Sequence, residues 1–104
     1  MNKLEINEID ILPVKPKNGL LAFASIVINQ QFYVGDIAIY SSPSTEDGFR
    51  LIYPCKVLPN GKKINSFHPI TKIAGEAVHN AVISKYQELM EKVAENHNER
   101  TYLK

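Results

Sequence analysis

Hydrophobic and polar residues alternate along roughly the first two-thirds of the chain, and a helical period replaces the alternation in the last third. Residues 4–11 mix apolar and acidic residues with rough alternation, which predicts a first strand. The proline and Asn-Gly within residues 15–19 predict a turn. Residues 20–28 are apolar nearly throughout and end in β-branched residues, which predicts a buried second strand.

A third and a fourth strand follow at residues 32–40 and 49–53. The short polar break at residues 29–31 joins strands two and three as a hairpin, and Gly35 predicts a bulge or a close backbone approach. Residues 41–48 are rich in Ser, Pro, Asp and Gly and predict a surface loop. Pro54 and Pro59 place the fourth strand at a sheet edge or bend it, because proline cannot donate to a central ladder.

The sequence Pro59-Asn60-Gly61-Lys62 favours a two-residue type I′ turn with Asn60 and Gly61 at its centre. In that register Val57 opposes Ile64, and Lys56 and Lys63 become diagonal neighbours on one face. The same alternation points Cys55 inward to the core.

Thr71 is a plausible N-cap for a helix from residue 72 to about 95. Its apolar stripe at a 3.6-residue period predicts packing on the sheet. Ile83 and Met90 lie beside the stripe, so they belong either to a wide core face or to a dimer or partner surface. Residues 95–104 are polar and predict a frayed tail.

Length and composition limit the class of protein. A chain of 104 residues, 44% hydrophobic, predicts one α+β domain over residues 1–104, with an antiparallel sheet of about five strands and one long C-terminal helix. The lone cysteine fits a reducing compartment, and the chain shows neither a secretory signal nor an apolar span, so we expect a cytoplasmic protein without membrane contact.

Motifs for catalysis are missing from the sequence. His68, His79 and His97 lack metal-ligand spacing, and the glycines fit no phosphate-binding loop. Cys55 and His68 could in principle act as nucleophile and base. The alternation favours a buried Cys55 instead, and His68 before Pro69 favours a hydrogen bond at the strand-to-helix junction. We therefore expect no enzyme, cofactor, metal or small-molecule substrate.

Charge is segregated along the chain. Residues 50–73 contain no Asp or Glu, in a chain with 11 acidic and 12 basic residues and a net charge of +1. A solvated lysine face without a ligand is one explanation. The other is an anion-binding surface, aided by the free N–H groups at the helix start. Its members are all basic: Arg50, Lys56, Lys62, Lys63 and Lys72.

Several short segments in a fixed order carry a family resemblance. They are Ala24-Ser25-Ile26, Asp36-Ile37, Pro54-Cys55-Lys56, Pro59-Asn60-Gly61, His68-Pro69-Ile70, and Ala81-Val82 with Tyr86. With these segments the chain resembles the SpoVG family, stage V sporulation protein G or septation protein, over about residues 4–89.

The resemblance implies a bacterial, cytoplasmic homodimer that acts in septation, sporulation and control of gene expression. It implies DNA or RNA binding by basic residues of the hairpin and helix start, where this chain has Lys56 and Lys72. Two departures weaken that binding or shift it to Arg50, Lys62 and Lys63. Val57 replaces a basic residue often present after the lysine, and residues 75–77 lack the basic side chains often found in the first helical turns.

The sequence thus leaves two candidate functions of different classes. The first is a nucleic-acid-binding regulator that contacts phosphates. The alternative is a non-catalytic protein-interaction module of the division or sporulation machinery, which would use the sheet edge or the flank at Ile83 and Met90.

Overall fold

A computed structural model describes the backbone of residues 4–103 and the side chains of residues 4–94. Six strands precede one helix: β1 Ile6–Lys17, β2 Leu20–Ile28, β3 Phe32–Ser41, β4 Phe49–Ile52, β5 Cys55–Val57, β6 Lys63–Asn65 and α1 Lys72–Leu103. The predicted α+β class, with an antiparallel sheet before one long C-terminal helix, is confirmed. The strands form two sheets rather than one.

Strands β1 to β4 form an antiparallel sheet in chain order, so β1 and β4 are its edges. The edge position predicted for the fourth strand is confirmed. Strand β1 is longer than predicted and passes through Pro13 and Pro16, with an irregular register between Pro13 and Lys17. An edge strand tolerates these prolines because its outer side needs no ladder donor. The chain reverses at Asn18 and Gly19, whose φ angles of 54° and 89° suit a tight hairpin turn.

The bulge predicted at Gly35 is confirmed. Ala24 pairs with Ile37 and Ile26 with Val34, which leaves one extra residue in β3. Asp36 takes the positive φ of 57° there. A Cβ on Gly35 would lie 3.1 Å from the Tyr33 hydroxyl, so glycine lets that ring lie close to the backbone.

One face of the four-stranded sheet packs against α1 and forms the core. Ala22 and Ala24 lie in β2 where the small side chain leaves room for the helix, and Val82 is fully buried on the helix side. The remaining buried members of this cluster are also aliphatic: Ile26, Val34, Ile37, Ile39, Val78 and Ile83. Removing these side chains from water is the main stabilising contribution of this layer.

The Thr71 hydroxyl accepts a hydrogen bond from the Ala74 N–H at 3.1 Å, which confirms the predicted N-cap. Helix α1 then continues to Leu103, beyond the predicted end near residue 95. The frayed tail predicted for residues 95–104 falls where the side chains lie outside the described residues, and it stays a prediction. In the described part of the chain, no helix combines the length and apolarity that a membrane crossing needs.

Candidate nucleic-acid interface

The hairpin of β5 and β6, residues 55–65, is called the ribbon below. At its turn the Gly61 N–H donates to the Leu58 carbonyl at 2.9 Å, and the Leu58 N–H donates to the Lys62 carbonyl at 2.8 Å. Gly61 alone has a positive φ there, 87°. Proline fixes φ near −65°, so Pro59 suits the second position of a type I turn. Asn60 takes the third position, and Gly61 follows in the left-handed conformation. The predicted type I′ turn is therefore wrong, and the loop is one residue longer.

The changed turn shifts the ribbon register by one residue. Lys56 pairs with Ile64, and Val57 pairs with Lys63. Because paired residues share a face and neighbours alternate, Lys56 and Lys63 lie on opposite faces. The prediction that they are diagonal neighbours is wrong. Lys62, opposite Leu58, falls on the Lys56 face instead.

The other two predicted cations lie outside the ribbon. Arg50 projects from β4 with its guanidinium carbon 5.6 Å from the centre of the Tyr40 ring, a cation–π distance. It pairs with Tyr40, which follows the core residue Ile39 and so faces away from α1. Lys72 is exposed at the first residue of α1, directly after the Thr71 cap. The five cations therefore occupy the ribbon, one sheet face and the helix start rather than a single flat surface.

None of these five cations is neutralised by a carboxylate within 4.0 Å among the described residues. The ion pairs found there are Asp47 with His79 and Glu88 with Lys92. Lys56, Lys62 and Lys63 are exposed, and their ribbon belongs to an acid-free stretch of chain. Their charge is thus available to an anion from solution.

The ribbon also exposes apolar side chains. Val57 is 60% exposed and Ile64 is 51% exposed, one on each face. Cys55 is exposed as well, so the predicted inward orientation of its thiol is wrong. The cause is the second sheet, since a two-stranded ribbon separate from the core layer has no helix to cover either face. Ile70 and Ile73, which flank the start of α1, are exposed too.

An open cleft of about 820 Å³ lies between the free edge of β4, the 42–48 loop and the first turns of α1. On its rim Asp47 and His79 are joined by a 2.7 Å hydrogen bond, which lowers the pKa of the Asp47 carboxyl. Glu46 and Glu76 also line it. Arg50 lines it as well, but three carboxylates outnumber this one cation, so the lining suits phosphate poorly. The sequence analysis missed the cleft, because Asp47 and His79 are 32 residues apart and no local pattern joins them.

His68 lines the same cleft and is exposed, and its side chain forms no hydrogen bond with the described residues. The hydrogen bond predicted for it at the junction is therefore not observed. Tyr53, half-buried with its ring centre 5.8 Å from that of Phe67, has a pKa raised by burial. Cys55 is not among the cleft residues, so the cleft does not gather the nucleophile and base weighed in the sequence.

The two residues of the alternative partner surface separate in the structure. Ile83 is 3% exposed and lies in the core, so it offers no side chain to a partner. Met90 is half-buried and lines a shallow depression with Phe49 and Tyr86, whose rings meet edge to face at 5.6 Å. The wide core face therefore accounts for Ile83, and only Met90 remains near the surface.

Comparison with known proteins gives one consistent family. The model of the SpoVG family matches residues 4–88. A septation protein SpoVG of Finegoldia magna is 30% identical over 89 residues, covering 86% of this chain and 80% of the relative. One from Treponema denticola is 31% identical over 84 residues, covering 81% and 87%. One from Agathobacter rectalis is 28% identical over 90 residues, covering 86% and 100%.

Proposed function

The chain belongs to the SpoVG family, and from this premise we propose that it is a non-catalytic regulator that binds DNA or RNA through phosphate contacts. The ribbon and the start of α1 supply the contacts. The family resemblance adds the expectation of a cytoplasmic homodimer and a link to septation, sporulation and gene expression. Its relatives are named septation proteins, which is in line with that link.

One observation carries the proposal: basic side chains project from an exposed ribbon without carboxylate partners among the described residues. Lys56 and Lys62 share one face of it. A phosphate backbone releases counterions when such groups neutralise it, and this release supplies most of the sequence-independent affinity. The exposed lysines therefore suit a polyanion better than a single small anion held in a pocket.

The helix start adds a second set of donors. Thr71 satisfies the N–H of Ala74, while the first-turn N–H groups around Lys72 remain oriented outward with the positive end of the helix dipole. A phosphate beside Lys72 gains both the ammonium charge and these dipoles. Glu76, one turn later, opposes this gain, so the ribbon makes the larger contribution.

The binding is expected to carry little sequence information. Lysine contacts to phosphates position the protein on the nucleic acid, whereas contacts to base edges determine sequence specificity. Val57 stands on the Lys63 face of the ribbon where relatives often have a basic residue, and its aliphatic side chain cannot contact phosphate. We therefore expect similar affinities for unrelated sequences of equal length.

The test is a salt series of fluorescence anisotropy with labelled single-stranded DNA, double-stranded DNA and RNA of one length. If two copies each engage three phosphates, affinity falls about a thousandfold between 50 and 200 mM salt, because each contact adds about 0.9 to the logarithmic slope. No binding to any probe at low salt, or an affinity that salt leaves unchanged, contradicts the proposal.

A second candidate, a protein-interaction module, is favoured by the free edge of β4 beside the cleft. An extended peptide can add a strand to such an edge and place side chains in a neighbouring groove. Leu51 lies on this strand and lines the cleft, so Leu51→Pro would remove a backbone donor there. A division-protein partner that is captured by the wild type and lost on Leu51→Pro, with nucleic-acid binding absent in both, would favour this candidate.

A further inference from the structure

Strand β4 presents backbone hydrogen-bonding groups along its free edge. The Ser42 N–H donates to the Gly48 carbonyl at 2.7 Å, and the β3–β4 register continues from this pair. Hydrogen-bonded pairs alternate along an antiparallel ladder, so Arg50 and Ile52 bond to β3, while Leu51 directs its N–H and its C=O away from the sheet. Neither of these two groups of Leu51 has a partner among the described residues. They are therefore open to the backbone of another chain.

The loop before β4 closes the preceding outward position of the same edge. The Phe49 N–H donates to the Asp47 carboxylate at 3.1 Å, and the Phe49 carbonyl accepts a hydrogen bond from the Thr45 hydroxyl at 3.0 Å. These side chains take the place that a visiting strand needs there. A segment that pairs with β4 must therefore do so at Leu51, and the loop stops it on one side.

The side chain of a segment residue that pairs with Leu51 enters the cleft. Leu51 itself pairs with Ile39, which is fully buried in the cluster beneath α1. Because paired residues share a face, the incoming side chain also lies on the α1 side of the sheet. The floor there is apolar and consists of the half-buried side chains of Phe49, Leu51 and Tyr53. The volume of about 820 Å³ is in the range of about 300–1,000 Å³ that is usual for ligand pockets, so more than one side chain fits.

The walls of the cleft carry carboxylates. Glu46 and Asp47 come from the loop and Glu76 from α1. Neither glutamate has a basic partner within 4.0 Å among the described residues. The hydrogen bond from His79 lowers the pKa of the Asp47 carboxyl, which is therefore ionised at neutral pH. Arg50 also lines the cleft, but its side chain lies on the face of the sheet away from α1. The cleft thus attracts a cation and repels phosphate.

We propose that this cleft binds an extended segment of a partner protein, which adds to β4 at Leu51 and places an arginine or lysine side chain between Asp47 and Glu76. Two residues away along the segment, an apolar side chain contacts Tyr53. Backbone hydrogen bonds to Leu51 supply affinity for any extended segment, and the carboxylates select the basic residue. The inference rests on the second candidate function, whose partner it specifies, and it does not depend on nucleic-acid binding by the ribbon.

The test measures the binding of short fluorescein-labelled peptides to the full chain by fluorescence anisotropy, at low salt to limit screening. The probe is about seven residues long, with arginine at its centre, leucine two positions before it and threonine elsewhere. Its matched peptide carries citrulline, which keeps the shape of arginine without the charge. We expect the wild type to bind the arginine peptide about tenfold more tightly, because charge-assisted hydrogen bonds are about twice as strong as neutral ones.

A charge reversal on α1 tests which residue selects the basic side chain. Glu76→Lys is expected to bind the arginine and the citrulline peptides equally weakly. Glu91→Lys is the matched control, since Glu91 is exposed on the same helix, about 22 Å farther along, and undergoes the same change in charge. This control keeps the tenfold preference of the wild type. Circular dichroism verifies that both variants are folded.

A single N-methyl group on the peptide tests the strand pairing without changing the protein. N-methylation of the arginine removes the N–H that donates to the Leu51 carbonyl, so we expect binding to be lost. The N–H of the next peptide residue points away from β4, and its methylation leaves the affinity within a few fold.

Several outcomes overturn the proposal. They are a wild type that binds the arginine and citrulline peptides alike, a Glu76→Lys variant that keeps the preference, and two N-methylated peptides of equal affinity. Free arginine amide that binds as tightly as the peptide also overturns it, since the cleft then holds a small cation rather than a segment. A partner captured through Leu51 without any basic residue contradicts this inference but retains the second candidate function.

Discussion

Replacing Ile83 by alanine tests whether Ile83 stabilises the core or serves a partner-binding surface. Ile83 is 3% exposed and belongs to the cluster that joins α1 to the sheet. Its loss removes three buried carbons at about 0.8 kcal/mol each and leaves a cavity in that cluster. The free energy of unfolding is therefore expected to fall by about 3 kcal/mol, a large share of the 5–15 kcal/mol typical of a domain.

The assay is urea unfolding at 25 °C, followed by far-ultraviolet circular dichroism at one fixed protein concentration. Ile83→Ala shifts the midpoint to lower urea with an unchanged slope, since the surface exposed on unfolding stays nearly the same. Val93→Ala is the control on the same helix, because Val93 is 51% exposed and its truncation costs within about 0.5 kcal/mol. A loss below about 1 kcal/mol for Ile83→Ala, or one no larger than that of Val93→Ala, refutes the assignment of Ile83 to the core.

Two further predictions concern single polar contacts. Thr71→Ala removes the oxygen that accepts the hydrogen bond from the Ala74 N–H, so it lowers the free energy of unfolding by about 1 kcal/mol. Thr71→Ser keeps that oxygen and leaves the free energy of unfolding nearly unchanged. Urea unfolding of both variants checks this. The hydrogen bond from His79 lowers the pKa of Asp47 in the folded state, so its stabilising effect is complete above about pH 5 and disappears as the pH falls through the lowered pKa. Carboxyl NMR titration should place the Asp47 midpoint below that of an unfolded peptide, and an equal or higher midpoint contradicts the hydrogen bond.

Strong local signals predicted much of the fold. Strand β2 has the predicted limits, because residues 20–28 are continuously apolar between two polar turns. The bulge at Gly35 and the cap at Thr71 were also visible, since each depends on one residue type with a special backbone role. The edge position of β4 followed from the nearby prolines.

The ribbon register could not be read from the dipeptide Asn60-Gly61 alone. That dipeptide favours a type I′ turn, but Pro59 before it selects a type I turn with Gly61 as the left-handed residue. One residue of difference moved Lys63 to the face of the ribbon opposite Lys56. A short-range error of this kind therefore redistributed the predicted binding residues without changing the fold class.

Features that depend on residues far apart in the chain could not be predicted from the sequence pattern. The exposed side chains of Leu12, Phe23 and Ile52 line up across the sheet only once the four strands are in register. The Asp47–His79 contact joins a loop to a helix. Ile83 looked marginal on a helical projection, yet the stripe that the sheet buries is wide enough to include it. Periodicity gives the centre of a buried helix face, whereas the partner surface sets its width.

Binding of the ribbon variant Lys56→Glu/Lys62→Glu to one labelled RNA at 50 mM salt tests the central claim most directly. Its matched control, Lys85→Glu/Lys92→Glu, makes the same change in net charge on α1, where the two lysines lie about 20 Å and about 30 Å along the helix from Lys72. We expect the ribbon variant to lose binding by at least about a hundredfold and to show a shallower salt dependence, while the control stays within a few fold of the wild type. Equal losses in both variants, or an unchanged affinity in the ribbon variant, would contradict the account.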